Sequence, residues 1–336
     1  MPVDVLVIGG GPAGLAAAIA ARRKGFRVTV ADGQCPPIDK ACGECLLPGA
    51  LEALRELGLD PNEIASAPIR GVRFLGDEVS VGSFFPHGAG AGVRRTALHA
   101  ALVEEALNCG VELQWNRPVG GLKGLTAAWI IGADGGGSRV RIWAELERFT
   151  QNRLRFGFRR HYRTPQPGDH VEIFWTAGAQ IYVTPVAADE VGIAVLSRDP
   201  KFRVSDAVAR FPELANRFRE AQPLSAERGS MTASRTLRNV TRGNIALIGD
   251  ASGSVDAITA EGLSLSFRQA LSLADAMERG DLSLYEAAHA RLERRPRLMG
   301  ELMLSMDRWP LVRRRALRAL AARPALFSRL IALHVG

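Results

Sequence analysis

Three glycines, Gly9, Gly11 and Gly14, stand in the spacing G-x-G-x-x-G, with Pro12 and Ala13 between the last two. That pattern can carry phosphate. One glycine allows a tight turn, another lets backbone N–H groups approach a pyrophosphate, and the third lets a helix pack closely on a strand. Seventeen residues, 15–31, separate Gly14 from Asp32, a carboxylate placed to accept hydrogen bonds from a ribose. A second constellation follows. Cys42 and Cys45 stand in a C-x-x-C spacing within DKACGECLLPGA, residues 39–50. Taken alone, the pair reads as a redox dithiol, as half of a metal site, or as neither. No second C-x-x-C and no paired His follow at useful spacing, so no metal centre is expected.

The phosphate turn needs a strand, a helix and a second strand around it. Val3–Ile8 is a short apolar run suited to a buried parallel strand. Leu15–Lys24 is rich in Ala and Leu and predicts a helix, and Arg27–Ala31 predicts the next strand. Residues 33–50 read as loop, punctuated by Pro36-Pro37; helical periodicity resumes over Leu51–Leu57 and stops at Gly58. RTALHAALVEEALNCG, residues 95–110, predicts an amphipathic helix closed by Gly110. AAWIIGADG (127–135) and NIALIGDASG (244–253) predict strands that run into glycine turns, the second followed by a helix over Leu263–Met277. Between 156 and 197 the texture changes to short apolar segments separated by Pro, Gly and Asp, which predicts a mostly antiparallel sheet. The expected fold is α/β: a discontinuous Rossmann-like domain from residues 1–75, 94–150 and 236–285; an inserted, mostly antiparallel β-sheet substrate domain from 76–93 and 151–235; and a basic helical C-terminus over 286–336.

A chain of 336 residues can bury a substantial core. Four cysteines do not make a disulfide framework, so a reducing, cytoplasmic setting is expected. The N-terminus MPVDVLVIGGG lacks a basic stretch and carries Asp4 inside its apolar run, so it does not read as a signal peptide. The net charge of +8 suggests nucleic acid only until it is located. Residues 291–336 hold eleven Arg and three acidic residues, the whole of the excess, so no nucleic-acid partner is expected. Arg313, Arg314, Arg315 and Arg318 precede Leu326, Phe327, Leu330 and Ile331 at helical spacing. Such a basic amphipathic end either rests peripherally on an anionic membrane surface or packs on its own domain.

Two later stretches, GADGGGSRVR (132–141) and GNIALIGDASGSVDAITAEG (243–262), resemble the second and third FAD motifs of the p-hydroxybenzoate hydroxylase-like flavoproteins. Within that superfamily the chain resembles geranylgeranyl reductases and related bacterial flavin oxidoreductases, over about residues 3–280 and with the three motifs in order. The resemblance implies FAD as cofactor, and so an FAD-binding role for the Rossmann-like domain. It implies that Asp134 and Gly135 lie near the pyrophosphate, with Ser138 and Arg141 completing that motif. It likewise implies that Gly249 and Asp250 meet ribitol or ribose, and that Arg95 approaches the cofactor. Glu261 and Gly262 would start a helix whose N-terminus faces the isoalloxazine. With Gly9, Gly11, Pro12, Ala13, Gly14, Asp32 and Lys40, these are the residues expected to hold FAD. Ala257 and Ala260 stand where the family carries proline and glycine, which bears on the backbone near the flavin.

The cysteine loop resembles the K-x-C-G segment of the same reductases, which implies that Lys40, Cys42, Gly43 and Glu44 lie beside the flavin and the substrate cavity. Cys42, Gly43 and Glu44 are the expected catalytic group; Cys45 is outside the pattern. FAD disulfide reductases space their redox cysteines C-x-x-x-x-C and carry a second dinucleotide fingerprint, which this sequence lacks. HVEIFWTAGAQIYVTPVAADEVGIAVL resembles the substrate-domain sheet, implying Pro185 near the flavin and an apolar cavity with His161, His170 and Tyr182 as candidate lining. The implied activity is a geranylgeranyl reductase-like transfer of hydride from reduced FAD to a carbon–carbon double bond of an apolar, lipid-like small molecule. NAD(P)H would serve as a transient electron donor, or another protein would donate. An FAD-dependent monooxygenase of an aromatic or polyketide-like substrate shares every cofactor motif, and a flavin-binding protein without turnover is a third reading. The W-x-W-x-I-P signature of halogenases is absent.

Overall fold

The computed structural model describes residues 3–76, 79–164 and 168–335. The expected domain limits at residues 1 and 336, and positions 77–78 and 165–167 of the expected β-rich segments, lie outside the described residues.

A six-stranded sheet forms the nucleotide-binding half. Its order is Thr241–Arg242, Ile245–Leu247, Trp129–Gly132, Val5–Ile8, Val28–Ala31 and Glu112–Gln114, parallel except for the hairpin at the first edge. All four residues of Val28–Ala31 are buried, as a strand covered on both faces requires. The helix Pro12–Arg23 begins with proline, whose missing N–H costs nothing at a helix start. Its run Leu15–Ala21 is buried throughout, and small alanines let it lie between the sheet and the helix Gly262–Glu278. A Cβ on Gly14 would fall 1.9 Å from the Gly9 carbonyl oxygen, so the third glycine sets how closely this helix approaches the first strand.

The second sheet has eight strands, in the order Gly253–Ser254, Arg228–Leu237, Phe149–Arg163, Glu190–Ser197, Ala179–Ala187, His170–Thr176, Gly71–Leu75 and Ser80–Phe84. All neighbours are antiparallel except His170–Thr176 with Gly71–Leu75. One apolar cluster, including Phe174, Ile181 and Ile193, also contains Val204, Leu214 and Phe218 of two short helices. A second, including Val72, Phe74 and Trp175, contains Met303, Leu317, Phe327 and Ile331 of the C-terminal helices. Those helices are Leu282–Arg308, Pro310–Ala322 and Pro324–Val335.

Three expectations are corrected. Gly71–Leu75 pairs with His170–Thr176, so the β-rich portion begins before residue 76. The helix Leu282–Arg308 runs through the expected limit between 285 and 286, its Tyr285 hydroxyl donating to the Leu247 carbonyl at 2.7 Å. The segment 33–50 is not all loop: Cys45–Leu46 pairs with Gly90–Gly92, and a helix starts at Pro48.

Candidate functional site

A cavity of about 600 Å³ lies where the two sheets meet. Three glycine turns of the nucleotide-binding half reach it. Gly11, Pro12 and Ala13 come from the first turn, Asp134 and Gly135 from the second, and Gly249, Asp250 and Gly262 from the third. Lys40, Cys42, Gly43 and Glu44 of the cysteine loop line it, as does Arg95 at the start of the helix Arg95–Asn108. Phe158, Tyr182, Leu196 and Met231 of the large sheet form an apolar wall.

The glycine turn suits a dinucleotide. A Cβ on Gly9 would lie 2.4 Å from the Ala133 carbonyl oxygen, whereas one on Gly11 would meet nothing within 4 Å. The turn is therefore closed behind and open towards the cavity, with the N-terminus of Pro12–Arg23 beside the opening, a favourable place for phosphate. Lys40 Nζ stands 3.6 Å from where a Cβ on Gly135 would sit. Asp134 Oδ2 accepts from the backbone N–H groups of Arg139 (2.7 Å) and Val140 (3.1 Å), while its Oδ1 is buried with no hydrogen-bond partner among the described residues. Arg95 Nε is equally unpartnered there. Two cations, an open backbone turn and an unpaired carboxylate oxygen match the phosphates and hydroxyls of FAD.

Six expected cofactor residues stand outside the cavity wall, Arg141 among them, its guanidinium donating to the carbonyls of Ala251 at 3.1 Å and Gly136 at 2.9 Å. Gly9 and Gly14 shape the turn from behind. Asp32 accepts from Gly10 N (2.6 Å) and Gln34 N (2.8 Å), which ties it to the turn. Ser138 caps the short helix Arg139–Trp143 by accepting from Arg141 N at 2.9 Å. Glu261 Oε2 stands 3.4 Å from His334 Nδ1 on the last helix. Of the other candidates, Tyr182 lines the cavity and donates its hydroxyl to the Ile258 carbonyl at 2.8 Å. His170 instead bonds Asp169 at 2.6 Å, and Pro185 packs its carbonyl against Gly92, where a Cβ would come within 1.6 Å.

The centre of the cysteine loop is Glu44, a buried carboxylate on a left-handed backbone with φ of 57°. Its Oε1 accepts from Arg95 N at 2.9 Å, and its Oε2 lies 2.6 Å from His161 Nε2. Arg159 Nη1 donates to His161 Nδ1 at 3.0 Å, so Nδ1 is the acceptor and Nε2–H donates to Glu44. Asp39 pairs with Arg159 from the other side. Cys42 lines the cavity, and its Sγ accepts from Glu44 N at 3.4 Å. Burial pushes the Cys45 thiol up to about 12, with the neighbouring Cys42 adding to the rise, so Cys45 is a poor source of thiolate.

A second buried network lies behind the third glycine turn. Asp256 Oδ1 pairs with Arg155 Nη1 at 3.0 Å and accepts from Ile258 N at 3.1 Å, capping the turn Ala257–Thr259. Arg155 also contacts Gln180, which donates to Asp307 Oδ1 at 2.6 Å. Sequence reasoning missed Arg155, Arg159 and Asp256 altogether. A signal was present: Arg155, Arg159 and His161 fall at even spacing on one face of Phe149–Arg163, opposite Phe156, Phe158 and Tyr162. Charges on an inward strand face call for buried partners.

The two alanines of the third motif do not abolish its turn. Ala260 adopts φ of 58° and ψ of 21°, the left-handed conformation glycine would take freely. Ala260→Gly is therefore expected to raise the unfolding free energy by up to about 1 kcal/mol, the relief of left-handed strain less the entropy of glycine. Chemical denaturation of the two proteins checks it; a loss of stability would contradict it.

Glu261 gives the site a pH dependence. Burial lifts its carboxyl to about 8, against the pull of Arg268, and burial holds the facing His334 below the usual imidazole range. An acid raised in the folded state contributes stability below its ordinary value near 4.5, and that contribution is lost as pH rises through about 8. His334 works oppositely, its contribution lost as pH falls through its lowered value. Glu261→Gln should thus melt higher than the parent at about pH 9 and close to it at about pH 5. A melting difference independent of pH would contradict this assignment.

Residues 2–124 match a family model described as an FAD binding domain. A menaquinone reductase of Mycolicibacterium smegmatis is 28% identical over 326 residues, spanning 85% of this chain and 78% of that protein. Among solved structures, the flavin-dependent brominase Bmp2 superposes with a TM-score of 0.83 at 20% identity, covering 100% of this chain and 94% of its own. A geranylgeranyl bacteriochlorophyll reductase-like protein of Thermoplasma acidophilum does so at 0.79 and 19%, covering 96% and 91%. The structural likenesses establish a shared fold. No helix among the described residues is long and apolar enough to cross a membrane.

Proposed function

We propose that this chain, whose residues 2–124 match an FAD binding domain and which is similar to a menaquinone reductase, is an FAD-dependent reductase that saturates a carbon–carbon double bond of a prenyl-bearing, quinone-like lipid. The observation that carries this reading is Glu44, a buried carboxylate on the cavity wall held by His161 at 2.6 Å. Saturating a double bond takes two partners: a hydride forms one new C–H bond, a proton forms the other, and the π bond breaks. Bound FAD supplies the hydride chemistry. The proton comes from solvent: Glu44 takes it up and passes it to the substrate carbon while His161 holds its carboxyl group, and Arg159 and Ser225 fix the imidazole from its far side, at 3.0 and 2.9 Å from Nδ1. The wall of Phe158, Tyr182, Leu196 and Met231 takes the apolar chain and keeps water from it. The similarity to a menaquinone reductase supports a prenylated quinone as the substrate class.

Glu44→Gln keeps the shape and removes the acid. It is expected to lower turnover by about ten- to a hundredfold with FAD still bound, a general acid's share of a rate. Unchanged turnover would remove Glu44 from the proton path. The reading itself is tested by mass spectrometry of the product formed from a menaquinone and a reductant. A product gaining two hydrogens in its prenyl chain supports it. A product gaining oxygen would replace it with the monooxygenase reading.

A further inference from the structure

We infer that the C-terminal helices present a docking face for an anionic lipid bilayer. Charge and exposed apolar side chains are segregated on these helices. Residues 291–336 contain eleven arginines and three acids, and burial separates them. Nine of the arginines are exposed. Two of the three acids are turned inward: Glu293 pairs with Arg297 and stands 3.6 Å from His289, and Asp307 takes bonds from Gln180 and Arg198. The third, Glu301, is exposed but neutralised by Arg153 at 3.0 Å. The outer surface of these helices therefore carries nine of the eleven arginines and only one of the three acids.

The same surface carries apolar anchors. Seven of the thirteen exposed large hydrophobic residues among those described fall between 298 and 333. Leu298 and Leu302 are one turn apart on Leu282–Arg308, and Trp309, Leu311 and Val312 follow where that helix meets Pro310–Ala322. Leu311 is 72% exposed and Trp309 58%. The inner faces of these helices are already used against the large sheet through Met303, Leu317 and Phe327, so the outer residues are not awaiting the protein's own core. Tryptophan and leucine amid arginine suit the boundary between headgroups and acyl chains, where the ring seats and the guanidinium groups meet lipid phosphate. With no membrane-spanning helix among the described residues, such helices would lie on the bilayer.

The test uses the full FAD-loaded chain and sedimentation with vesicles of phosphatidylcholine alone or mixed with phosphatidylglycerol. Binding to the mixed vesicles at least about tenfold above that to the neutral ones is expected, weakening with salt. Each near-surface arginine contributes about fivefold, so Arg308→Glu with Arg315→Glu should weaken binding by at least about twentyfold. Trp309→Ser with Leu311→Ser should weaken it at least tenfold by removing the anchors. Because all four side chains are exposed, both variants should keep FAD and the parent melting temperature. Failure to bind anionic vesicles, or equal binding by parent and variants, overturns the inference. So does a dimer in light scattering that Trp309→Ser with Leu311→Ser dissociates without any vesicle binding, which would assign the face to a second copy of the chain. None of these outcomes depends on the reductase reading, since binding is measured without turnover.

Discussion

Gly11→Asp is expected to abolish FAD retention while leaving the apoprotein as stable as the parent. Gly11 is extended, with φ of −73° and ψ of 177°, so any residue can adopt its backbone. A Cβ there meets no atom within 4 Å, so the fold loses nothing. The added carboxylate would occupy the space left for a pyrophosphate, at the mouth of the helix Pro12–Arg23. Two like charges about 4 Å apart at an effective dielectric near 20 repel by about 4 kcal/mol, or roughly a thousandfold in affinity. Gly14→Ala is the contrasting change: its Cβ would strike the Gly9 carbonyl oxygen at 1.9 Å, so it should damage stability as well as binding. FAD titration by fluorescence quenching and urea denaturation of the apoproteins separate the two effects. If Gly11→Asp binds FAD as the parent does, the cavity has been assigned to the wrong molecule.

The largest effect on stability is expected from Asp256→Ala. Asp256 and Arg155 each have side chains only 4% exposed and pair at 3.0 Å. Asp256 also accepts from Ser234 Oγ at 2.7 Å and caps the turn that presents Ala257 and Ala260 to the cavity. Removing the carboxylate leaves the Arg155 guanidinium buried without its counter-charge, which costs about 3–5 kcal/mol. Replacing both partners, as Arg155→Met with Asp256→Leu, should recover much of that loss, because the desolvation of two ions disappears with the pair. Denaturation midpoints of the single and double variants measure the coupling. A loss below about 1 kcal/mol in Asp256→Ala would place the pair among weak surface bridges instead.

The same two positions show what could be read from sequence. The phosphate turn was legible because the spacing of Gly9, Gly11 and Gly14 is a backbone requirement, and backbone requirements leave glycine as their mark. The strands over 156–197 were legible because their apolar runs are bounded by turn residues. Side-chain direction was not. Glu261 sits in a motif that starts the helix Gly262–Glu278, yet its carboxylate turns towards His334, brought there by a helix 73 positions later. The partners of Glu44 and Asp256 were hidden for a related reason. His161 lies 117 positions from Glu44 and Arg155 lies 101 from Asp256, and only the pairing of Phe149–Arg163 inside the large sheet brings them together. The strand Gly71–Leu75 was assigned to the wrong half because its neighbour, His170–Thr176, arrives about a hundred residues later.

The C-x-x-C spacing illustrates the difference between pattern and environment. Both cysteines reach the cavity wall, but Cys45 is a buried strand residue paired with Gly92, its thiol raised by desolvation. The residue between them that matters most is Glu44, whose left-handed backbone turns a buried carboxylate towards His161 and Arg95.

The central claim, that the cavity couples bound FAD to an apolar double bond through Glu44 and His161, is tested most directly by anaerobic stopped-flow. The purified protein is reduced chemically in the absence of oxygen and mixed with a menaquinone whose ring is already reduced, so that only the prenyl chain can accept electrons. The account predicts that the yellow absorbance of oxidised FAD returns without oxygen, with the prenyl chain gaining two hydrogens, and that Glu44→Gln slows this return. An absorbance that stays bleached until oxygen is admitted, with the substrate then carrying a new oxygen atom, would contradict it.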